Sequence, residues 1–127
     1  MVKKILLVDD ETDTVGIISS KLEADGFKVF LSRNGRDGLI QARAHLPDMV
    51  LMDIVLPDMD GAEVVKELHD HPATVGVPVI FLSGIVVSDG NGDAEITVGG
   101  RDYMAIGKPF TYRELKEKID AVLKLTE

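Results

Sequence analysis

Short, uninterrupted apolar runs alternate along this chain with segments of helical period, and the runs end in polar or acidic residues. Ile5-Leu6-Leu7-Val8 closes on Asp9-Asp10-Glu11, and Met49-Val50-Leu51-Met52 closes on Asp53. A strand apolar at every position has no face to give to water. Such strands belong in a parallel sheet covered on both sides. Between the runs, Val15, Ile18 and Leu22 recur at helical spacing, with Gly26 as a C-terminal cap. Lys28 to Ser32 reads as a second strand, followed by Asn34-Gly35. Leu39, Ala42 and Leu46 mark a helix that stops before Pro47, and Val64, Val65 and Leu68 a third within Ala62 to His69. Pro78 to Ser83 and Met104 to Ile106 are the remaining strands. Thr111 and Glu114 form a capping box for a last helix striped with Leu115, Ile119, Val122 and Leu123.

Right-handed crossovers bring the C-terminal ends of parallel strands to one edge, where doubly wound sheets carry their sites. Asp9, Asp10, Asp53, Ser83 and Lys108 all fall at or just past strand ends. The 127 residues suit one domain, 1–127. With 22 acidic and 14 basic residues, the net charge of -8 argues against direct contact with nucleic acid. There is no cysteine, hence no disulfide or thiol chemistry. The first apolar run is too short for a signal peptide core or a membrane span, so the expectation is a soluble, cytoplasmic protein.

The acidic edge has a definite chemistry. A hard divalent cation takes oxygen ligands and keeps several waters. Asp9, Asp10 and Asp53 offer such ligands, and crowding without the cation should raise at least one of their pKa values. Taken singly, Asp9 and Asp10 also read as helix caps and Asp53 as a turn residue. Lys108, before Pro109-Phe110, can pair with a carboxylate and then with a phosphoryl oxygen, and a cis Pro109 would aim it inward. Ser83, before Gly84, can hydrogen-bond a phosphoryl oxygen.

Asp9-Asp10, the stretch Asp53-Ile54-Val55-Leu56-Pro57-Asp58-Met59-Asp60-Gly61, Ser83-Gly84 and Lys108-Pro109-Phe110 together resemble the signature of the response regulator receiver domain. The resemblance implies an α/β, flavodoxin-like, doubly wound sheet of five parallel strands in the order 2-1-3-4-5. It implies that Asp53 accepts a phosphoryl group from a histidine kinase or phosphotransfer protein. Asp10 would bind Mg²⁺ directly, Asp9 largely through water, and Val55 through its backbone carbonyl. Ser83 would move onto the phosphoryl group and Lys108 pair with it. The product would switch conformation and control an output domain or a downstream partner. Such a chain is a phosphoacceptor rather than a turnover enzyme. A phosphohydrolase would need an acidic residue where Val55 stands.

Two departures stand out. The aromatic residue expected three positions before the lysine is Ala105, while Tyr103 lies two residues earlier on the same strand face. Tyr103 takes that role in a shifted register, or the aromatic is missing and Tyr103 is a partly buried strand-edge residue. The second departure is the segment expected to form the fourth helix. Ile85 to Ser88, Asp89 to Asp93 and Ala94 to Gly100 run β-branched, turn, β-branched. That reads as a hairpin or an irregular excursion in place of the helix, with a short helix as the alternative. An altered surface there weakens the dimerisation the family builds from this face. Asp89, Asn91 and Asp93 mimic the start of a calcium loop, but Ala94 and Gly100 occupy its glycine and glutamate positions, so the segment is a turn. Val55 and Ile85 are apolar neighbours of the phosphoryl site and predict slow self-hydrolysis. His45, His69 and His71 are expected to be solvent-exposed and without a catalytic role.

Overall fold

The computed structural model describes residues 2–84 and 94–126. Along the chain its elements are β1 (Lys4–Val8), α1 (Thr12–Ala24), β2 (Lys28–Ser32), α2 (Gly35–His45) and β3 (Met49–Asp53). There follow α3 (Gly61–Asp70), β4 (Val79–Ser83), β5 (Ala94–Val98), β6 (Arg101–Gly107) and α4 (Tyr112–Thr126). The strands form one sheet in the order β2-β1-β3-β4-β6-β5. The pairs β1–β2, β1–β3, β3–β4 and β4–β6 are parallel. The winding direction therefore reverses between β1 and β3, which is where a doubly wound sheet opens its crevice.

The apolar runs do what their composition requires. Alternate side chains of β1, β3 and β4 point to opposite faces. Leu6, Val8, Val50, Met52, Val79 and Phe81 pack under α2 and α3. Ile5, Leu7, Met49, Leu51, Ile80 and Leu82 pack under α1 and α4. Nearly all of these are fully buried, each side chain contributing about 1.5–3 kcal/mol to folding. The α2 helix stops where Pro47 demands it, with Leu46 in the left-handed region at φ 47°. The Thr111–Glu114 box is formed: the Glu114 N–H donates to Thr111 Oγ1 at 3.1 Å, and the Thr111 N–H to Glu114 Oε2 at 3.4 Å.

The expected five-stranded sheet is corrected in one respect: a sixth strand, β5, pairs antiparallel with β6 from Ala94↔Ala105 to Val98↔Arg101. A hairpin is present, but Ala94 to Val98, expected as part of its second arm, is its first arm, and β6, the strand leading to Lys108, is its second. Its turn is Gly99-Gly100, at φ 59° and 81°. A two-residue hairpin with both central residues at positive φ favours glycine, asparagine or aspartate there, and glycine meets the demand without strain in both places. Strand β6 is correspondingly longer than the three residues expected, because pairing on its second side extends it to Arg101. The proposed first arm at Ile85 to Ser88 and the turn at Asp89 to Asp93, with its calcium-like spacing, lie outside the described residues.

Candidate functional site

Each group of the acidic edge is set by its backbone. Asp9 continues β1 by one bond, its N–H donating to the Ser32 carbonyl at 3.0 Å, and its side chain is fully buried. Its Oδ1 accepts the Glu11 N–H at 2.9 Å, so the turn into α1 is folded around this carboxylate. Asp53 is the last residue of β3 and is also buried. The loop after it is pinned from three directions. The Gly61 N–H donates to the Ile54 carbonyl at 2.7 Å, and Val55 and Asp60 form an isolated antiparallel bridge. The Asp60 carboxylate caps α3 through the Ala62 N–H at 2.8 Å. The Asp58 carboxylate accepts the Gly35 and Arg36 N–H groups at 2.7 and 2.9 Å and ties the loop to the start of α2. Those two bonds, Arg36 first, hold the Asp58 carboxyl below its ordinary pKa.

Gly61 has a purpose beyond turning the chain. A Cβ there would run into the Asp53 backbone carbonyl. The Asp60-Gly61 pair therefore lets α3 start directly against the strand end that carries Asp53.

Lys108 arrives from the opposite side. Its N–H donates to the Ser83 carbonyl at 2.9 Å, extending the β4–β6 ladder by one bond, and the following Lys108–Pro109 peptide is cis. The ammonium reaches Asp9 Oδ2 at 2.8 Å, Glu11 Oε1 at 3.0 Å and Asp53 Oδ2 at 3.4 Å. Burial disfavours its charge, but the bonds to Asp9 and Glu11 outweigh that and raise its pKa above the ordinary lysine value. Burial pushes Asp53 the other way for an acid: its pKa rises to about 6, with Lys108 opposing and Asp9 adding to the rise. Contact with Lys108 lowers the pKa of the exposed Glu11.

Carboxylate oxygens of Asp9, Asp10 and Asp53 all lie within 4.8 Å of one another. Two are buried and Asp10 is exposed, so the cluster opens to solvent on one side. An all-oxygen donor set open to water fits Mg²⁺, which retains water ligands. Ser83, buried at the end of β4, and Val55, which is 63% exposed, also border the site. The Val55 N–H donates to Asp53 Oδ1 at 3.4 Å. Asp9, Asp10, Asp53, Val55, Ser83 and Lys108 are thus brought to one edge. All but Asp9 line a cleft of about 860 Å³, to which Ile17, Ile18 and Phe110 add apolar lining.

Two groups were not legible beforehand. Glu11 is a direct partner of Lys108, 97 residues away in sequence, and only its place beside Asp9-Asp10 hinted at it. His69 is half-buried rather than exposed. The Tyr103 hydroxyl lies 3.0 Å from its ring nitrogens, and Arg101 Nη1 is 2.9 Å from its Nδ1. Tyr103 itself is buried, with its ring edge-on to Phe81 at 5.7 Å and to His69 at 5.3 Å. It is not a strand-edge residue, because β5 covers that side of β6. It shares a face with Ala105, as the alternation requires. His45 is exposed but stacks on Phe30 at 3.9 Å, and His71 is exposed.

A doubly wound, mainly parallel sheet bearing this carboxylate–lysine edge at its switch point defines a flavodoxin-like α/β protein. Residues 5–120 match the response regulator receiver domain, and the chain belongs to that family. It is 33% identical over 123 residues to the polar-differentiation response regulator DivK of Brucella anthropi, covering 97% of this chain and 98% of that one. It is 34% identical over 129 residues to the Bacillus subtilis alkaline phosphatase synthesis transcriptional regulatory protein PhoP, covering 100% of this chain and 51% of PhoP. The chain therefore spans about half the length of PhoP and nearly all of DivK. A CheY-like receiver domain structure from Methanospirillum hungatei superposes with a TM-score of 0.81 at 30% identity, covering 98% of this chain and 95% of that one. The protein is thus a receiver domain of two-component response regulators, a class of phosphoacceptors. Among the described residues no helix is long and apolar enough to cross a membrane.

Proposed function

We propose that Asp53 is the phosphoryl acceptor of this receiver domain, residues 1–127, and that the donor is the phosphohistidine of a sensor kinase or phosphotransfer protein. One observation carries the assignment: the Lys108 ammonium lies within 3.4 Å of Asp53, at an edge where three carboxylates converge. A pKa of about 6 leaves Asp53 mostly ionised near pH 7 yet poorly solvated, a state suited to a nucleophile. An Asp53 oxygen attacks phosphorus in line as the P–N bond to the imidazole breaks. The leaving imidazole keeps the bonding pair and takes up a proton. Lys108 shifts from Asp53 Oδ2 onto the transferred group and neutralises charge on its oxygens. Asp10, Asp9, Asp53 and the Val55 carbonyl would hold Mg²⁺. When bound it supplies a Lewis acid for the same phosphoryl oxygens. The Ser83 hydroxyl turns toward the new acyl phosphate and biases the domain between two states.

The product adds nearly two negative charges at a crowded acidic edge. A downstream protein or an output domain reads the change by preferring one of the two states. The net charge of -8 supports a partner other than nucleic acid for this segment, and the reading is of a cytoplasmic switch rather than a turnover enzyme. The exposed Val55 side chain at the cleft mouth obstructs an attacking water, so the acyl phosphate is long-lived.

The test is acetyl phosphate with Mg²⁺ followed by intact mass. One phosphoryl group should be gained, and none in Asp53→Asn. Val55→Asn should shorten the lifetime of the adduct. Labelling that survives Asp53→Asn would refute the acceptor assignment. An unchanged lifetime would dismiss the role of Val55.

A further inference from the structure

Among the described residues Lys108 has three carboxylate partners, and they are not equivalent. Asp9 and Asp53 belong to the cluster that converges on the candidate metal site, whereas Glu11 does not. Glu11 is the residue before α1, with its side chain 55% exposed and its Oε2 3.4 Å from the Thr14 hydroxyl. Its Oε1 holds the ammonium at 3.0 Å, closer than Asp53 does at 3.4 Å. The lysine is therefore drawn toward the cleft mouth by one carboxylate and toward the acceptor by another.

We propose that Glu11 is a positioning residue that sets how readily Lys108 leaves the cleft mouth for the phosphoryl group on Asp53. This rests on Asp53 being the acceptor. Lys108 cannot give its full charge to the transferred group while it shares it with Glu11. Removing Glu11 leaves Asp9 to keep the ammonium over the site at 2.8 Å. It also removes the competing outer contact. The lysine then meets the incoming phosphoryl group more often, and phosphorylation speeds up. The gain is bounded by the modest strength of an exposed ion pair, so roughly threefold is expected.

Three variants isolate the Glu11–Lys108 contact from a general change of charge at the cleft. Glu11→Gln should raise the rate of labelling by acetyl phosphate about threefold. The gain should vanish in a Lys108→Met background, because Glu11 acts through the lysine. Asp13→Asn, in the first turn of α1, removes the same charge without a contact to Lys108 and should give no such gain. In the unphosphorylated protein, the side-chain amine NMR signal of Lys108 should move on Glu11→Gln and stay in place on Asp13→Asn. An unchanged rate in Glu11→Gln, a gain that persists without Lys108, an equal gain in Asp13→Asn or an unmoved Lys108 signal would each overturn the proposal. Wild-type protein that takes up no phosphoryl group would instead bring down the acceptor reading beneath it.

Discussion

At the scale of single residues, the acceptor site depends on backbone fit as much as on charge. Asp53, Asp9 and Lys108 were legible because each ends an apolar run or follows one, and strand ends share an edge. Gly61 illustrates what sits behind them. Its missing Cβ leaves room for the Asp53 carbonyl, and no neighbouring flexible side chain can yield in its place. Gly61→Ala should lower stability by about 1–3 kcal/mol through overpacking, seen as a lower urea midpoint. Because the shift falls on the strand end itself, labelling of the remaining folded protein should slow as well. A variant with wild-type midpoint and labelling rate would show that the loop absorbs the methyl freely. Glu11 was not legible as a lysine partner, since nothing local to residue 11 reports a cation brought in from the far end of the chain.

Among the elements, β1, β3 and β4 were readable because burial on both faces writes itself as an unbroken apolar run. The β5–β6 hairpin was only partly so. Its β-branched composition weighed against a helix, but Gly99-Gly100 looked like the end of an arm when it is the turn. The composition of one arm does not say which neighbour it pairs with. Nor could pattern alone foresee the link from β6 to the end of α3, where Tyr103 and Arg101 meet His69 across more than thirty residues. That link has a pH signature. Burial first, and then the Arg101 charge, hold the His69 pKa below its usual value, with Asp70 opposing. In the unfolded chain the imidazole takes its proton near pH ~6.5, while in the fold it resists. Its contribution is therefore complete above that pH and is lost as pH falls through the lower folded value. Denaturation midpoints should thus fall more steeply between pH ~7.5 and ~5.5 for wild type than for His69→Gln. Parallel curves for the two proteins would show that His69 titration does not bear on stability.

For the whole molecule, the family resemblance places dimerisation on a face that includes the fourth helix. Here β5 lies beside β6 at that end of the sheet, and no fourth helix stands between β4 and β6 among the described residues. A net charge of -8 also sets copies against each other. We expect one chain per particle in size-exclusion chromatography with light scattering, both without and with beryllofluoride and Mg²⁺. A beryllofluoride-dependent dimer lost on substitution in α4 would contradict this. The hairpin has a further effect on the tempo of the sheet. The outermost strands are β2 and β5; β6 pairs with β5 over Arg101 to Ala105 and with β4 over Met104 to Gly107, so the two ladders overlap at Met104 and Ala105. Amides in that overlap face no open edge and should exchange more slowly than the outward-facing amides of β2 and β5. Lys108 stands past the overlap, where among the described residues β4 alone holds the strand through the bond from the Lys108 N–H to the Ser83 carbonyl, so the backbone of the lysine is tied directly to that of the serine.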